Sequence, residues 1–255
     1  MPYSVPHVSH ALQAYIANTQ YELVIFDCDG VLIDSESLSK QTLLNMLAEL
    51  GVLVNSEYFD VHFLGQSYAH MVTKIHEDYA VLLPDDFQVM YQHTLLNRFA
   101  EELQPTSGIE HVLSRLAIPV CIATSSGPER VKRALHLTQL SASFGEHVFT
   151  SSEVKHGKPA PDLFLHAAQK MGVEPSRCLV IEDSSAGLRA AKAANMDCIW
   201  YTGASHLVDL AQKDLTDSNN SSNEFLINIP HWKTLFSCFP QLQTSVEGNR
   251  SGNNF

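Results

Sequence analysis

The chain has 255 residues, room for one ordinary α/β domain plus an insertion of domain-like size, and its hydrophobic fraction of 45% is that of a soluble globular protein. Its formal charge of -12 sets up a long-range field that repels nucleic acid and anionic membrane, so neither is expected as a partner. No apolar run reaches the length of a membrane span, and the first residues lack a basic region followed by an apolar core, so a cytoplasmic location is expected.

In chain order, residues 1–20 read as a leader carrying one weak helix over 11–17. Leu23, Val24, Ile25 and Phe26 then form an unbroken apolar run, the pattern of a strand buried on both faces, and the run stops at Asp27 and Asp29. Residues 38–50 carry apolar side chains at helical spacing and end at Gly51, which predicts a helix with a C-terminal glycine cap. Helical patterns continue over 58–63, 68–79 and 85–102 with almost no strand signal, so a helical segment is inserted between strands. Strand signals resume at 118–123, 147–150, 178–181 and 198–201, with helices predicted over 128–137, 161–171 and 185–195. That alternation predicts an α/β fold in which a parallel sheet is covered by helices. Residues 214–224, rich in Asn and Ser, read as a polar loop, 225–229 as an edge strand, 231–239 as a closing helix and 245–255 as a frayed end.

The five cysteines, Cys28, Cys121, Cys178, Cys198 and Cys238, lie in or beside apolar runs without a Cys-x-x-Cys pair and are expected as reduced, mostly buried thiols. Cys28 sits between two aspartates whose charges would raise its pKa, which argues against a nucleophilic role.

Chemistry gathers where the apolar strands end. The carboxyl edge of an open α/β sheet is where ligands bind, and the first strand delivers Asp27 and Asp29 to it. Two like charges this close call for a cation between them, and small hard oxygen ligands suit Mg²⁺. By itself the stretch fits a surface Asp-x-Asp-Gly turn equally well, with Gly30 supplying the positive φ. The run ending at Ala123 leads into Thr124, Ser125, Ser126 and Gly127, whose backbone N–H groups, with the Thr124 hydroxyl, can hold phosphate oxygens or simply cap a helix. Lys158 lies just before a proline that can open the next helix, which would hold its ammonium at a fixed place. Leu179, Val180 and Ile181 then deliver a second acid pair, Glu182 and Asp183, to the same edge. Four converging acids repel one another strongly unless a divalent cation and a basic residue join them.

Taken in order, Asp27-Cys28-Asp29-Gly30-Val31-Leu32-Ile33-Asp34-Ser35-Glu36, Thr124, Lys158 and Glu182-Asp183-Ser184-Ser185-Ala186-Gly187 resemble the motifs of the haloacid dehalogenase superfamily, in its phosphatase and β-phosphoglucomutase-like branch with a helical cap. The resemblance covers about residues 22–201. It implies a Rossmann-like parallel sheet with helices on both faces, formed by 1–37 and 104–255, and an α-helical cap formed by 38–103.

The resemblance also assigns roles. Asp27 would be the nucleophile that forms an aspartyl-phosphate, and Asp29 the general acid and then base. Mg²⁺ would be held by the Asp27 and Asp183 carboxylates and the Asp29 backbone carbonyl, with Glu182 assisting through water. Thr124, the Ser125 N–H and Lys158 would bind the phosphoryl oxygens. In the cap, Gln66 and Ser67 are candidates to line the substrate site, and Lys74 a weaker one.

The expected activity is that of a Mg²⁺-dependent phosphatase acting as a monomer on a small phosphate ester, a sugar or sugar-acid phosphate by analogy with the branch. Proteins similar to β-phosphoglucomutase carry a hinge histidine where this chain has Ser39 and a cap arginine where it has Tyr68, so a phosphohexomutase is the second reading. A catalytically silent binding or regulatory protein is the third, and the intact Asp27, Asp29, Lys158 and Asp183 argue against it.

Overall fold

The computed structural model describes residues 9–63, 68–207 and 225–244. Its sheet contains β1 (Leu23–Phe26), β2 (Val120–Thr124), β3 (Val148–Thr150), β4 (Cys178–Glu182), β5 (Asp197–Tyr201) and β6 (Ile227–Ile229). All neighbouring strands are parallel, in the order β3-β2-β1-β4-β5-β6. Strand order therefore reverses at β1, which opens a crevice at the carboxyl ends of the central strands. Phe26 is level with Ile122 of β2 and with Ile181 of β4, so the residues that follow these three strands share one edge.

Side chains alternate between two cores. Val24 and Phe26 join Ile122, Leu179 and Ile181 on one face, while Leu23 and Ile25 join Cys121, Ala123, Cys178 and Val180 on the other. With both faces covered, β1 has no polar side to present, which is why it reads as a continuous apolar run. Truncating a fully buried ring such as Phe26 to alanine would cost about 3–5 kcal/mol.

The helices follow the amphipathic stripes. In chain order they are α1 (His10–Asn18), α2 (Glu36–Glu49), α3 (Ser56–His62), α4 (Tyr68–Tyr79), α5 (Phe87–Glu102), α6 (Ile109–Leu113), α7 (Pro128–Leu137), α8 (Ser141–Phe144), α9 (Asp162–Met171) and α10 (Ser185–Ala193). On the first face lie Ile16 of α1, Ile109 and Val112 of α6 and Val131, Ala134 and Leu135 of α7. The opposite face is covered by Leu163, Phe164, Ala167 and Ala168 of α9 and by Leu188, Ala190 and Ala191 of α10.

Helices α2 to α5 form the insertion and share a hydrophobic cluster of their own, including Leu47, Phe59, Ile75 and Phe87. The chain enters and leaves this insertion at adjacent points: the Asp34 N–H donates to the Gln104 carbonyl at 3.0 Å, and Ile33 bridges Pro105. The far end of α5 returns to the main core through Leu95, Phe99 and Leu103.

Where the structure departs from the sequence expectation, short elements are involved. The closing helix expected over 231–239 is a 3₁₀ turn, Trp232–Thr234, followed by the one-turn helix Leu235–Cys238, because Trp232, Leu235 and Phe239 are all pulled into the core. Helices α6 and α8 carry too few residues for a periodic pattern to emerge. The helix after Lys158 is opened by Pro161 rather than by the adjacent Pro159. Residues 214–224 and 245–255 lie outside the described residues, as do the cap candidates Gln66 and Ser67. All five cysteines are unpaired and all but Cys238 are buried. No helix of the described residues is long and apolar enough to cross a membrane.

Candidate active site

Asp27 follows β1 directly and its backbone N–H donates to the Ile181 carbonyl at 2.9 Å, which continues the sheet by one residue and fixes where the side chain emerges. The Lys158 ammonium reaches it from the turn before α9, donating to Asp27 Oδ1 at 2.5 Å and to Glu182 Oε1 at 2.7 Å. Lys158 also lies over the Phe164 ring, 4.8 Å from its centroid. Burial alone would lower the lysine's pKa, but Asp27 and Glu182 together hold it above its ordinary value. The second oxygen of Glu182 accepts from the Ser184 N–H at 2.7 Å, at the start of α10. Each Glu182 oxygen thus has a partner, the Lys158 ammonium on one and a backbone N–H on the other.

Asp183 completes the acidic set. One oxygen each from Asp27, Glu182 and Asp183 come within 4.8 Å of one another, and the three residues are buried. A single ammonium faces three carboxylates, and burial, followed by their mutual repulsion, pushes Asp27 and Asp183 well above the usual carboxylate range. Gly30 makes room for the set: its φ is +80°, and a Cβ there would overlap Asp183 Oδ2 and sit 2.9 Å from His206 Cε1. Hard oxygen donors, excess negative charge and a glycine-lined space fit a small divalent cation such as Mg²⁺. His206 Nε2 lies 3.3 Å from Asp183 Oδ2, and burial lowers the imidazole's pKa.

Asp29 points into a different neighbourhood. Its Oδ1 accepts from the Ser35 hydroxyl at 2.5 Å and from Arg130 Nη2 at 2.7 Å, and its Oδ2 accepts from the Ser126 hydroxyl at 2.5 Å. Burial opposes ionisation here, but Arg130 and the two hydroxyls more than offset it and hold the carboxyl below its ordinary value. Asp27 and Asp29 are two residues apart in sequence and are driven in opposite directions by their surroundings. Cys28, between them, is buried and its thiol is pushed up by burial first and then by both aspartates, which leaves it inert.

Thr124 is buried at the end of β2, where its hydroxyl accepts from the Ser126 N–H at 3.1 Å and shapes the turn. Ser125 is exposed, and its carbonyl accepts from the Ser151 hydroxyl at 3.0 Å. Lys74 is committed to Asp78 one helical turn away, at 2.8 Å. The structure thus gathers Asp27, Lys158, Glu182 and Asp183 around one point, with Asp29 and Thr124 on the same edge. It adds four residues that pattern reading missed: Ser35, Ser126, Arg130 and His206. Ser126 stood in a stretch already marked as a phosphate turn and Ser35 in the motif that runs on from Asp27, though neither was given a role; Arg130 and His206 carry no local signal, since each is brought in by a helix or loop of ordinary polarity.

Residues 21–195 match the haloacid dehalogenase-like hydrolases. The chain is 34% identical over 184 residues to a probable pseudouridine-5'-phosphatase of Drosophila melanogaster, an alignment spanning 69% of this chain and 79% of that one. It is 25% identical over 189 residues to a 6-phosphogluconate phosphatase of Escherichia coli, spanning 74% and 86% of the two chains. A solved haloacid dehalogenase-like protein of Agrobacterium tumefaciens superposes with a TM-score of 0.74 at 30% identity, covering 87% of this chain and 98% of that one. The protein belongs to the haloacid dehalogenase-like hydrolase family.

Proposed function

We propose that the protein is a Mg²⁺-dependent phosphatase that hydrolyses a small phosphate ester through an aspartyl-phosphate on Asp27. The observation that carries this reading is the convergence of Asp27, Glu182 and Asp183 within 4.8 Å, with Lys158 bonded to two of them. Asp27 and Asp183, with the Asp29 backbone carbonyl, would hold Mg²⁺, which when bound supplies the positive charge that lets these acids ionise together and face a phosphate dianion.

Asp27 attacks phosphorus as the bond to the leaving alcohol breaks, and Asp29, which must first take up a proton against the pull of Arg130, gives that alcohol the proton. Water then attacks the aspartyl-phosphate, Asp29 takes the water's proton, and inorganic phosphate leaves. Lys158 offsets the repulsion between Asp27 and the incoming dianion, while Thr124 and the Ser125 N–H bind the remaining oxygens. Glu182 contributes by fixing Lys158.

Relatives named for sugar-acid and nucleoside phosphates support a sugar phosphate or sugar-acid phosphate as the substrate class. A mutase is disfavoured by Ser39, which is buried with its hydroxyl turned to the Ser35 carbonyl, and by Tyr68, which packs on the insertion's own apolar cluster. The test is a panel of phosphate esters with Mg²⁺, comprising 6-phosphogluconate, fructose 1-phosphate, glycerol 3-phosphate and glucose 1-phosphate. Release of inorganic phosphate is expected; conversion of glucose 1-phosphate to the 6-phosphate would establish the mutase instead, and inactivity of folded protein on every ester would overturn both.

A further inference from the structure

Arg130 stands on α7 in the core, and one side chain of it touches three separate parts of the molecule. Its Nη2 donates to Asp29 Oδ1 at 2.7 Å and to the Ser39 hydroxyl of α2 at 3.2 Å, and its guanidinium lies 5.4 Å from the ring centroid of Phe99 on α5. Ser39 in turn donates to the Ser35 carbonyl at 2.9 Å, and the Ser35 hydroxyl is another of Asp29's partners. Tyr91 of α5 adds a hydroxyl directed at the Ser39 carbonyl at 3.3 Å. Arg130 Nε is buried without a hydrogen-bond partner, so the group is not placed by its own best hydrogen bonding; the ion pair with Asp29 and the aromatic face of Phe99 place it.

These contacts turn the Asp29 carboxylate toward residues 35, 126 and 130, whereas the acidic set around Lys158 comprises Asp27, Glu182 and Asp183. The same guanidinium that holds Asp29 is gripped by the two insertion helices that flank the chain crossing at residues 34 and 104. A shift of α2 and α5 against the core therefore has to disturb the hold on Asp29.

We propose that Arg130 is a positioning residue for proton transfer: it sets the direction of the Asp29 carboxylate and makes that direction depend on where the helical insertion sits. This rests on the reading of Asp29 as general acid. It also explains why the position where similar mutases carry a histidine can be a small serine here, since a cation from the core already occupies the space beside Ser39 and Asp29.

The experiment compares kcat/KM for p-nitrophenyl phosphate, whose leaving group departs without a proton, with that for the fastest sugar ester of the panel. This ratio reports only steps up to formation of the aspartyl-phosphate. Asp29→Asn is expected to lower the sugar-ester value by roughly tenfold or more beyond its effect on the aryl ester, and Arg130→Met is expected to reproduce that selective loss. Arg130→Lys, shorter and without the planar fork, is expected to recover part of it and carries the test if the methionine variant does not reach the wild-type circular dichroism spectrum. Ser39→Ala is expected to show the same selectivity at smaller size.

Equal losses on both esters, or no loss, in the Arg130 variants while Asp29→Asn remains selective would overturn the role of Arg130 alone. Absence of selectivity in Asp29→Asn would overturn the general-acid reading and the proposal with it. Wild-type behaviour of Ser39→Ala would overturn the dependence on the insertion.

Discussion

The ammonium of Lys158 lies 2.5 Å from Asp27 Oδ1, with both side chains almost wholly buried. The lysine is therefore a structural counter-ion, and its proposed part in binding phosphate is a second, separable job. Lys158→Ala is expected to lower kcat/KM by about a hundredfold or more, the loss of a single charge-stabilising donor of roughly 3–4 kcal/mol. It should also lower the melting temperature of the metal-free protein, because Asp27 and Glu182 are left buried without their cation. Mg²⁺ should restore part of the stability and little of the activity. Near-normal turnover in this variant would refute the assignment.

Asp183 offers the opposite case. Among the described residues it has no lysine or arginine partner, and burial holds its carboxyl well above the usual range. Asp183→Asn is expected to raise the stability of the metal-free protein by about 1 kcal/mol and to abolish stabilisation by Mg²⁺. Thermal melts with and without the ion check both; an unchanged response to Mg²⁺ would remove Asp183 from the metal site.

The acidity of the site predicts a pH dependence for the proposed Mg²⁺ binding. Asp27 and Asp183 have pKa values raised from an ordinary 3.8 by burial, so the folded metal-free chain binds protons that the unfolded chain has already lost. Their contribution to stability is consequently lost as pH rises from about 4 through the raised values, opposite in sign to Asp29, whose lowered carboxyl stabilises the fold above 3.8 and ceases to do so as pH falls below it. Mg²⁺ needs the ionised forms, so binding should release protons and tighten with increasing pH over the same window. Titration calorimetry in two buffers of different ionisation enthalpy measures the proton count; a count of zero at neutral pH would show that the acids are already ionised.

Gly30 is the backbone position on which this arrangement turns. An alanine there meets a φ of +80° and overlaps Asp183 Oδ2, with His206 Cε1 close behind. The strain alone is worth about 1–3 kcal/mol, and displacement of Asp183 adds to it. Gly30→Ala should therefore lose stability and Mg²⁺ affinity together, whereas an alanine at Gly127, which meets nothing within 4 Å, should leave the metal response intact. Equal Mg²⁺ affinity in the two variants would contradict this account.

Much of the fold and half of the site could be read before the chain was seen folded. Leu23 to Phe26 and Leu179 to Ile181 declared buried strands because neither face meets water, and an acid pair at the end of each could only be placed on one edge by a parallel sheet. Helices of seven or more residues showed in the spacing of their apolar positions, while α6 and α8, at five and four residues, did not. Asp27, Asp29, Lys158 and Asp183 stood out for a related reason: charged residues directly after apolar runs or beside prolines and glycines are locally conspicuous.

What the linear chain determined, then, is what depends on neighbours within a few residues: the strands, the long helices, and the presence of acids and a lysine at strand ends. Tertiary structure alone decided how those charges divide. Asp27 is given to Lys158, which comes from 131 residues away, and Asp29 to Arg130, 101 residues away; burial and the neighbouring acids outweigh Lys158 and raise the first carboxyl, while Arg130 and two hydroxyls outweigh burial and lower the second. A pKa is set by whatever lies within a few ångströms in space, and for these two aspartates most of that arrives from distant elements of the fold.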